Sequence, residues 1–169
     1  MTTAGIGSST HMNLERFRLA AGIEVLPLHM KGAPDAMSEV LAGRADGYFA
    51  PVFSVRKHVA AGTLVPLAVG SPNRTSVFPD RPTTVEAGYP GSDYNFWVGA
   101  LVSSKTPPEI AQRLNREFTA ALALPDVQAR VRELGVEPFN PSLPEFEAMI
   151  RKELADNAQL IKTAGIKPN

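Results

Sequence analysis

Two glycines and a run of hydroxyl side chains stand directly before a helix-like segment near the start of the chain. In order, the residues are Gly5-Ile6-Gly7-Ser8-Ser9-Thr10-His11. Glycine permits a sharp turn and a close approach of the backbone to a ligand. Ser and Thr are preferred at helix N-termini, where free N–H groups favour an anion. This pattern predicts a binding site for a carboxylate or phosphate, formed by Gly7, Ser8, Ser9, Thr10 and His11.

A purely structural role would account for this segment as well. Ser8 or Ser9 can cap the helix with no ligand involved, and the sequence alone favours this role equally. A hydrolase or isomerase that used His11 with a hydroxyl is disfavoured, because no Gly-x-Ser-x-Gly elbow is present. A nucleotide-binding loop is excluded, because neither Gly-x-x-x-x-Gly-Lys-Ser/Thr nor a full Gly-x-Gly-x-x-Gly occurs. We therefore predict a binding protein rather than an enzyme.

Metal sites have equally little support in the sequence. The chain has no Cys, which excludes thiolate ligands and disulfides. His11, His29 and His58 lie on separate predicted elements and lack the spacing of a metal-binding pair. We predict no metal and no cofactor.

Composition and charge narrow the class of protein. The chain has 169 residues, 44% hydrophobic and 20% charged, which is typical of a globular protein with a core. Its 17 basic and 17 acidic side chains cancel, whereas surfaces that bind nucleic acid or membranes need a basic excess. The first residues lack a signal-peptide pattern. They fit either a cytoplasmic protein or a chain from which a signal and further residues are missing.

Short β-like and helix-like runs alternate over the first two-thirds of the chain, which is typical of an α/β protein with a mostly parallel sheet. The predicted helices there span about 9–22, 33–42 and 52–61, and the predicted strands span 23–29, 46–51, 64–69 and 94–103. Helices dominate the remainder, at 107–124, 125–134 and 144–164, with one short strand at 136–139. Ser142 and Glu145 form a capping-box pair before the last helix.

A second candidate region follows the predicted strand at 46–51. Ligands of doubly wound proteins lie beyond the carboxyl ends of the strands, where Phe49, Ala50 and Pro51 stand. A core position for Phe49, with Ala50 as filler, accounts for the segment equally well. Trp97 is a third candidate for ligand contact, although packing between domains accounts for it better.

Several short motifs occur in one order along the chain. They are Ala4-Gly-Ile-Gly-Ser-Ser-Thr-His11, Lys31-Gly32, Leu41-Ala-Gly-Arg-Ala-Asp46, Ala61-Gly-Thr-Leu-Val-Pro-Leu-Ala-Val69, Phe78-Pro-Asp-Arg-Pro-Thr-Thr-Val-Glu-Ala-Gly-Tyr-Pro-Gly91, Lys105-Thr-Pro-Pro108, Arg113-Leu-Asn115 and Ala164-Gly-Ile166. In this order they resemble the C-terminal part of the Bug-type solute receptors of tripartite tricarboxylate transporters. No single motif is diagnostic, but together they span nearly the whole chain.

The resemblance implies a fold and a domain arrangement. The fold is α/β and similar to type II periplasmic binding proteins, with one α/β domain plus the C-terminal helical part of a second domain. Residues 1–93 would form the second α/β ligand-binding domain, incomplete at its start. Residues 94–103 would be a crossover strand and hinge, and 104–169 the helix-rich part of the first domain. The signal peptide and most of the first domain of the family are expected to be missing.

The resemblance also implies a function. Such receptors capture a small organic carboxylate or dicarboxylate in the periplasm, without catalysis, and present it to a membrane permease. Many relatives have Asp where Ala50 stands, so a ligand without a cationic amine is expected here. An effector-binding regulatory module of the same fold is the alternative, although no helix-turn-helix pattern is present. Because the C-terminal helices lack a sheet to cover, we also expect self-association.

Overall fold

A computed structural model describes residues 1–167 of the chain. It contains two compact units: unit 1 comprises Met1–Phe96 and the segment from Asn157 onward, and unit 2 comprises Trp97–Asp156. The helices and strands are β1 (Thr2–Thr3), α1 (Ser9–Ala21), β2 (Leu28–His29), α2 (Ala33–Leu41), α3 (Val52–Ala60), α4 (Pro108–Ala123), α5 (Pro125–Glu133) and α6 (Leu143–Ala164). None of these helices is both long and apolar enough to cross a membrane.

A small parallel sheet organises the start of unit 1. β1 pairs with β2, with Thr2 opposite Leu28 and Thr3 opposite His29. A further parallel bridge joins Thr2 to Tyr48. Because parallel strands end at the same edge of a sheet, the segments that follow these three positions leave at one edge.

Helix α1 begins and ends as its sequence predicts. Ser8 is extended, and its hydroxyl accepts the N–H of His11, which satisfies one of the amides that a helix start leaves free. Gly22 ends the helix with a φ of 62°, a left-handed conformation that glycine adopts at little cost. Leu14 anchors the helix, because its side chain is 0% exposed. The apolar core of unit 1 contains Met12, Leu14, Ala36, Met37, Val69 and Leu160.

The helices predicted from the sequence are confirmed, and their ends agree to within about one residue. The predicted capping box before α6 is confirmed as well. The backbone N–H of Ser142 donates to the Glu145 carboxylate at 2.8 Å, and the Glu145 N–H donates to the Ser142 hydroxyl at 3.4 Å. The Ser142 hydroxyl, which also donates to this carboxylate at 2.6 Å, and the Ser142 N–H stabilise its charged form, so they lower the pKa of Glu145.

The predicted strands are mostly wrong in extent. Of 23–29, only Leu28–His29 is a strand, while Tyr48 and Val69 make single parallel bridges. The structure assigns neither helix nor strand to 94–103 and 136–139. The parallel arrangement itself is confirmed by every pairing among the described residues.

The missing strands have a physical cause. A helix satisfies its backbone groups within its own segment, whereas a strand needs a neighbouring strand to bond with. The segments with β-like sequences leave their apolar side chains in solvent: Leu26 is 75% exposed, Leu67 81% and Val98 76%. These segments therefore find no covering neighbour within residues 1–167.

Unit 2 consists of helices with uncovered apolar faces. No residue from 97 to 156 is buried. Apolar side chains recur every four residues along α4, and they are exposed: Ile110 by 45%, Leu114 by 38% and Phe118 by 53%. Every residue of this unit is thus at least partly exposed, as expected for helices without a covering sheet.

The two units divide the chain between Phe96 and Trp97, inside the segment expected to be a crossover. The end of α6 from Asn157 onward belongs to unit 1. The assignment of 1–93 and 104–169 to two receptor domains, and the hinge role of 94–103, stay predictions.

Candidate anion-binding site

A chain of hydrogen bonds shapes the loop between β1 and α1. The Ala4 N–H donates to the Thr10 hydroxyl oxygen at 2.9 Å, and the Thr10 and Ser8 hydroxyls lie 2.9 Å apart. The Ser8 hydroxyl donates to the Gly5 carbonyl at 2.7 Å. The Thr10 hydroxyl thus bonds to Ala4 and Ser8, and the Ser8 hydroxyl bonds to Gly5 and Thr10. Both hydroxyls are therefore engaged within the protein rather than free for a ligand.

Two backbone amides at the start of α1 remain available. The Ser8 N–H bonds to the Gly5 carbonyl at 3.2 Å, and the His11 N–H bonds to the Ser8 hydroxyl at 3.3 Å. Within residues 1–167 no acceptor is found for the N–H groups of Ser9 and Thr10 or for the Ser9 hydroxyl. These three donors stand at the positive end of a 13-residue helix, the arrangement that favours a carboxylate.

Asn13 adds a polar group that the sequence analysis missed. It lies one helical turn beyond Ser9 on the same face of α1. Its Oδ1 is buried and has no hydrogen-bond partner among the described residues. A Cβ placed on Gly70 would lie 2.8 Å from Asn13 Nδ2, so any other residue there would push this side chain aside. A buried acceptor needs a donor such as a water, so this oxygen itself cannot bind a carboxylate, which is also an acceptor. The sequence signal for this residue was its spacing of four from Ser9, which places both residues on one helix face.

His11 faces inward rather than toward solvent. The residue is 3% exposed, and its Nδ1 accepts the Gly7 N–H at 3.1 Å. Its Nε2 lies 3.7 Å from the Glu15 carboxylate, and its ring packs edge-on against His29 at 4.5 Å between centroids. Burial, followed by the repulsion of His29, lowers the pKa of His11, and Glu15 offsets part of that decrease.

The Phe49–Pro51 segment leaves the sheet at the same edge as the loop before α1, because Tyr48 and Thr2 are parallel neighbours. The Phe49 ring lies 5.4 Å from the Phe17 ring of α1, a packing contact. Ala50 is half-buried, and Pro51 stands at the start of α3 in an extended conformation. The structure thus brings this segment and residues 7–11 to one edge of the sheet of unit 1.

Trp97 belongs to unit 2, whereas the other predicted ligand contacts belong to unit 1. Its indole N–H donates to the Glu153 carboxylate, and its ring packs edge-on against Phe146 at 5.4 Å. Both contacts are made within unit 2. Ligand contact by Trp97 stays a prediction.

The candidate site is built from dipoles rather than charges. No side chain from Ala4 to Thr10 is ionisable, so an anion here would be held by amides and a hydroxyl. Within residues 1–167 no group of three or more His, Asp or Glu side chains could hold a metal ion.

The chain resembles known proteins over nearly its full length. The family described as "Tripartite tricarboxylate transporter family receptor" matches residues 1–166. One relative is a protein from the tcbD-tcbE intergenic region of Pseudomonas sp. strain P51. It is 34% identical over 80% of this chain and 40% of its own length. The BugT protein of Bordetella pertussis is 28% identical over 96% of this chain and 50% of its own length.

Solved structures show the same fold. The R. palustris protein Rpa4515, solved with adipate, superposes with a TM-score of 0.91 and 28% identity over 99% of this chain and 56% of that one. The periplasmic binding protein BugD superposes with a TM-score of 0.84 and 29% identity over 99% of this chain and 57% of that one. The predicted fold class, α/β and like the periplasmic binding proteins of this family, is confirmed. The chain spans about half the length of these proteins.

Proposed function

We propose that this chain, which belongs to the tripartite tricarboxylate transporter receptor family, binds a small organic carboxylate at the start of helix α1. The observation that carries the proposal is the pair of unbonded amides of Ser9 and Thr10, beside the free Ser9 hydroxyl. A charge-assisted hydrogen bond contributes about 1.5–3 kcal/mol. Three such bonds contribute about 4.5–9 kcal/mol before the cost of association. Micromolar affinity, about 8 kcal/mol net, therefore also needs contacts from the segments that border the same edge.

Dicarboxylates are the ligand class that we propose. Rpa4515, which is 28% identical to this chain and was solved with adipate, supports this class. Ala50 carries no carboxylate that could pair with an amine, so the proposed ligand has no cationic amino group. Gly7, Ser8, Thr10 and His11 contribute backbone and loop shape, and Phe49, Ala50 and Pro51 border the same edge.

Three further parts of the proposal rest on the family. The family and its fold are those of solute-binding receptors, and we propose that this chain likewise binds its ligand without catalysis. We also propose a periplasmic location and a membrane permease as partner. The family match favours this function over the effector-binding regulatory module.

Titration calorimetry of the 169-residue chain with adipate tests the proposal. We expect saturable binding with a dissociation constant in the roughly micromolar range. Hexanediol is the matched control, because it has the same carbon chain and no carboxylate. Equal heats for adipate and hexanediol, or no binding of either, would contradict carboxylate recognition.

Self-association remains a separate proposal. It is supported by the uncovered stripe of α4, in which Phe118 is 53% exposed, because large apolar patches drive association. Sedimentation velocity should show a mass that rises with concentration, and F118E should reduce that rise. Q112E adds the same charge at an exposed position of α4 outside the apolar stripe and should leave association unchanged. A monomer at every concentration would refute the proposal.

A further inference from the structure

His11 contacts the candidate site through the backbone of the loop. Its Nδ1 accepts the N–H of Gly7 at 3.1 Å, and Gly7 directly precedes the residue that caps α1. Gly7 has a φ of 75°, a left-handed conformation that positions this amide toward the ring. The ring thus connects the loop to the first turn of α1.

This hydrogen bond requires one protonation state of His11. A nitrogen that accepts an N–H has no proton of its own, so Nδ1 must be bare and the ring neutral, with its proton on Nε2. Nε2 then faces the Glu15 carboxylate at 3.7 Å. Protonation of Nδ1 would place two N–H groups against each other and break the contact with Gly7.

We propose that His11 is a positioning residue that holds the Gly7 amide while its ring is neutral and releases it when its ring is protonated, which weakens carboxylate binding in mild acid. This inference rests on the proposed function, because it assigns a regulation to the same site. Release of Gly7 frees the loop that carries Ser8, and Ser8 fixes the start of α1 by its hydrogen bonds to Gly5 and His11. The amides of Ser9 and Thr10 then lose their fixed geometry, which is what makes them effective donors.

The groups around the ring determine the direction of the effect. Glu15 faces Nε2 from α1 and is itself held by Arg18, 2.8 Å away. His29 faces the ring from β2, and its Nδ1 lies 2.8 Å from the Thr3 hydroxyl. The charge gained by His11 is compensated by the Glu15 carboxylate beside it, so attraction of the protonated ring for an anion is reduced. We expect the loss of the Gly7 contact to outweigh what remains of that attraction.

The same geometry sets how stability depends on pH. Burial lowers the pKa of His11 in the folded chain, so the unfolded chain binds more protons as the pH falls. Stability from this group is complete above the unfolded pKa of about 6.5 and declines as the pH falls below it, until the folded pKa is passed. Gly7 is released when the folded chain itself becomes protonated, which happens around the lowered pKa of His11.

The first arm of the test needs no ligand. Nuclear magnetic resonance of the ¹⁵N-labelled chain follows the Gly7 amide and the His11 ring nitrogens from about pH 7.5 to about pH 4.5. We expect the Gly7 amide to exchange faster and shift with the same midpoint as the His11 ring. A Gly7 amide that stays protected while His11 titrates would overturn the inference.

The second arm measures adipate affinity at about pH 7.5 and about pH 5 in the wild-type chain and in two variants. H11N keeps an acceptor at the position of Nδ1 and cannot become charged, whereas H11Q places its amide at the position of Nε2. From the higher to the lower pH, we expect the affinity of the wild type to fall about fivefold more than that of H11N. The smaller decrease in H11N reports the protonation of adipate itself. H11Q should bind more weakly than H11N at both pH values.

The outcomes separate this inference from the proposed function. Identical pH profiles for wild type and H11N would overturn the role of His11 while leaving carboxylate binding intact. Absence of adipate binding by the wild-type chain at about pH 7.5 would instead contradict the proposed function. The Gly7 resonance would then still decide whether His11 holds the loop.

Discussion

Replacement of Ser9 by proline is expected to lower the affinity for adipate by at least about 100-fold. Ser9 is the first residue of α1, and its N–H has no acceptor within residues 1–167. Proline removes this N–H and the Ser9 hydroxyl together. Each charge-assisted hydrogen bond lost costs about 1.5–3 kcal/mol, so the loss of both bonds, about 3–6 kcal/mol, sets the expected decrease.

The helix itself should tolerate this substitution. Proline is favoured at the first helical position, where its missing N–H is not needed for the helix. It also requires an extended residue before it, and Ser8 already has a φ of −67° and a ψ of 159°. S9P therefore deletes donors of the proposed site without disturbing the fold, which circular dichroism and thermal unfolding would verify.

Two variants at this position separate the amide from the hydroxyl. S9A removes the hydroxyl and keeps the N–H, and S9V keeps the N–H with more bulk on Cβ. Calorimetry should give S9A an affinity between wild type and S9P. If S9P binds adipate as tightly as S9A does, the Ser9 amide makes no contact with the carboxylate.

Replacement of Leu14 by alanine should cause the largest loss of stability, about 3–5 kcal/mol in the free energy of unfolding. Leu14 is 0% exposed and is the largest fully buried side chain among residues 1–167. Its removal costs the transfer energy of its methyl groups and leaves a cavity beneath α1. Small domains have only about 5–15 kcal/mol in total, so this variant should be close to unfolding.

Urea unfolding, monitored by circular dichroism, measures the effect. L14M nearly conserves the volume and should cost less than about 1.5 kcal/mol. L19A is the matched control, because Leu19 is on the same helix and is 38% exposed. Equal losses for L14A and L19A would mean that Leu14 does not anchor the helix that carries the site.

The helices could be predicted well from the sequence. Ser8 before α1, Gly22 after it and the Ser142–Glu145 pair before α6 mark helix ends through contacts a few residues apart. Such local rules act whether or not the rest of the fold is known. The resemblance to the receptor family was likewise readable from short motifs in order, and the family match confirms it.

The details of the candidate site could not be predicted. Hydroxyls before a helix indicate an anion-binding site, but the hydroxyls of Ser8 and Thr10 hydrogen-bond to Gly5 and to each other. The pattern counted His11 among the contacts, whereas the structure buries its ring against Gly7 and His29. Asn13 lies four residues beyond Ser9 in the sequence, but that its Oδ1 is buried and unbonded is apparent only in three dimensions.

The sequence by itself determined the helices, the parallel α/β class and the segment that precedes α1, because each depends on residue type over a few positions. Only the tertiary structure decided which β-like runs become strands and which donors stay free. A strand exists only beside a partner, and a donor is free only if no distant acceptor reaches it. Leu67, in a β-like run yet 81% exposed, and Ser9, a hydroxyl without a partner within residues 1–167, illustrate the two cases.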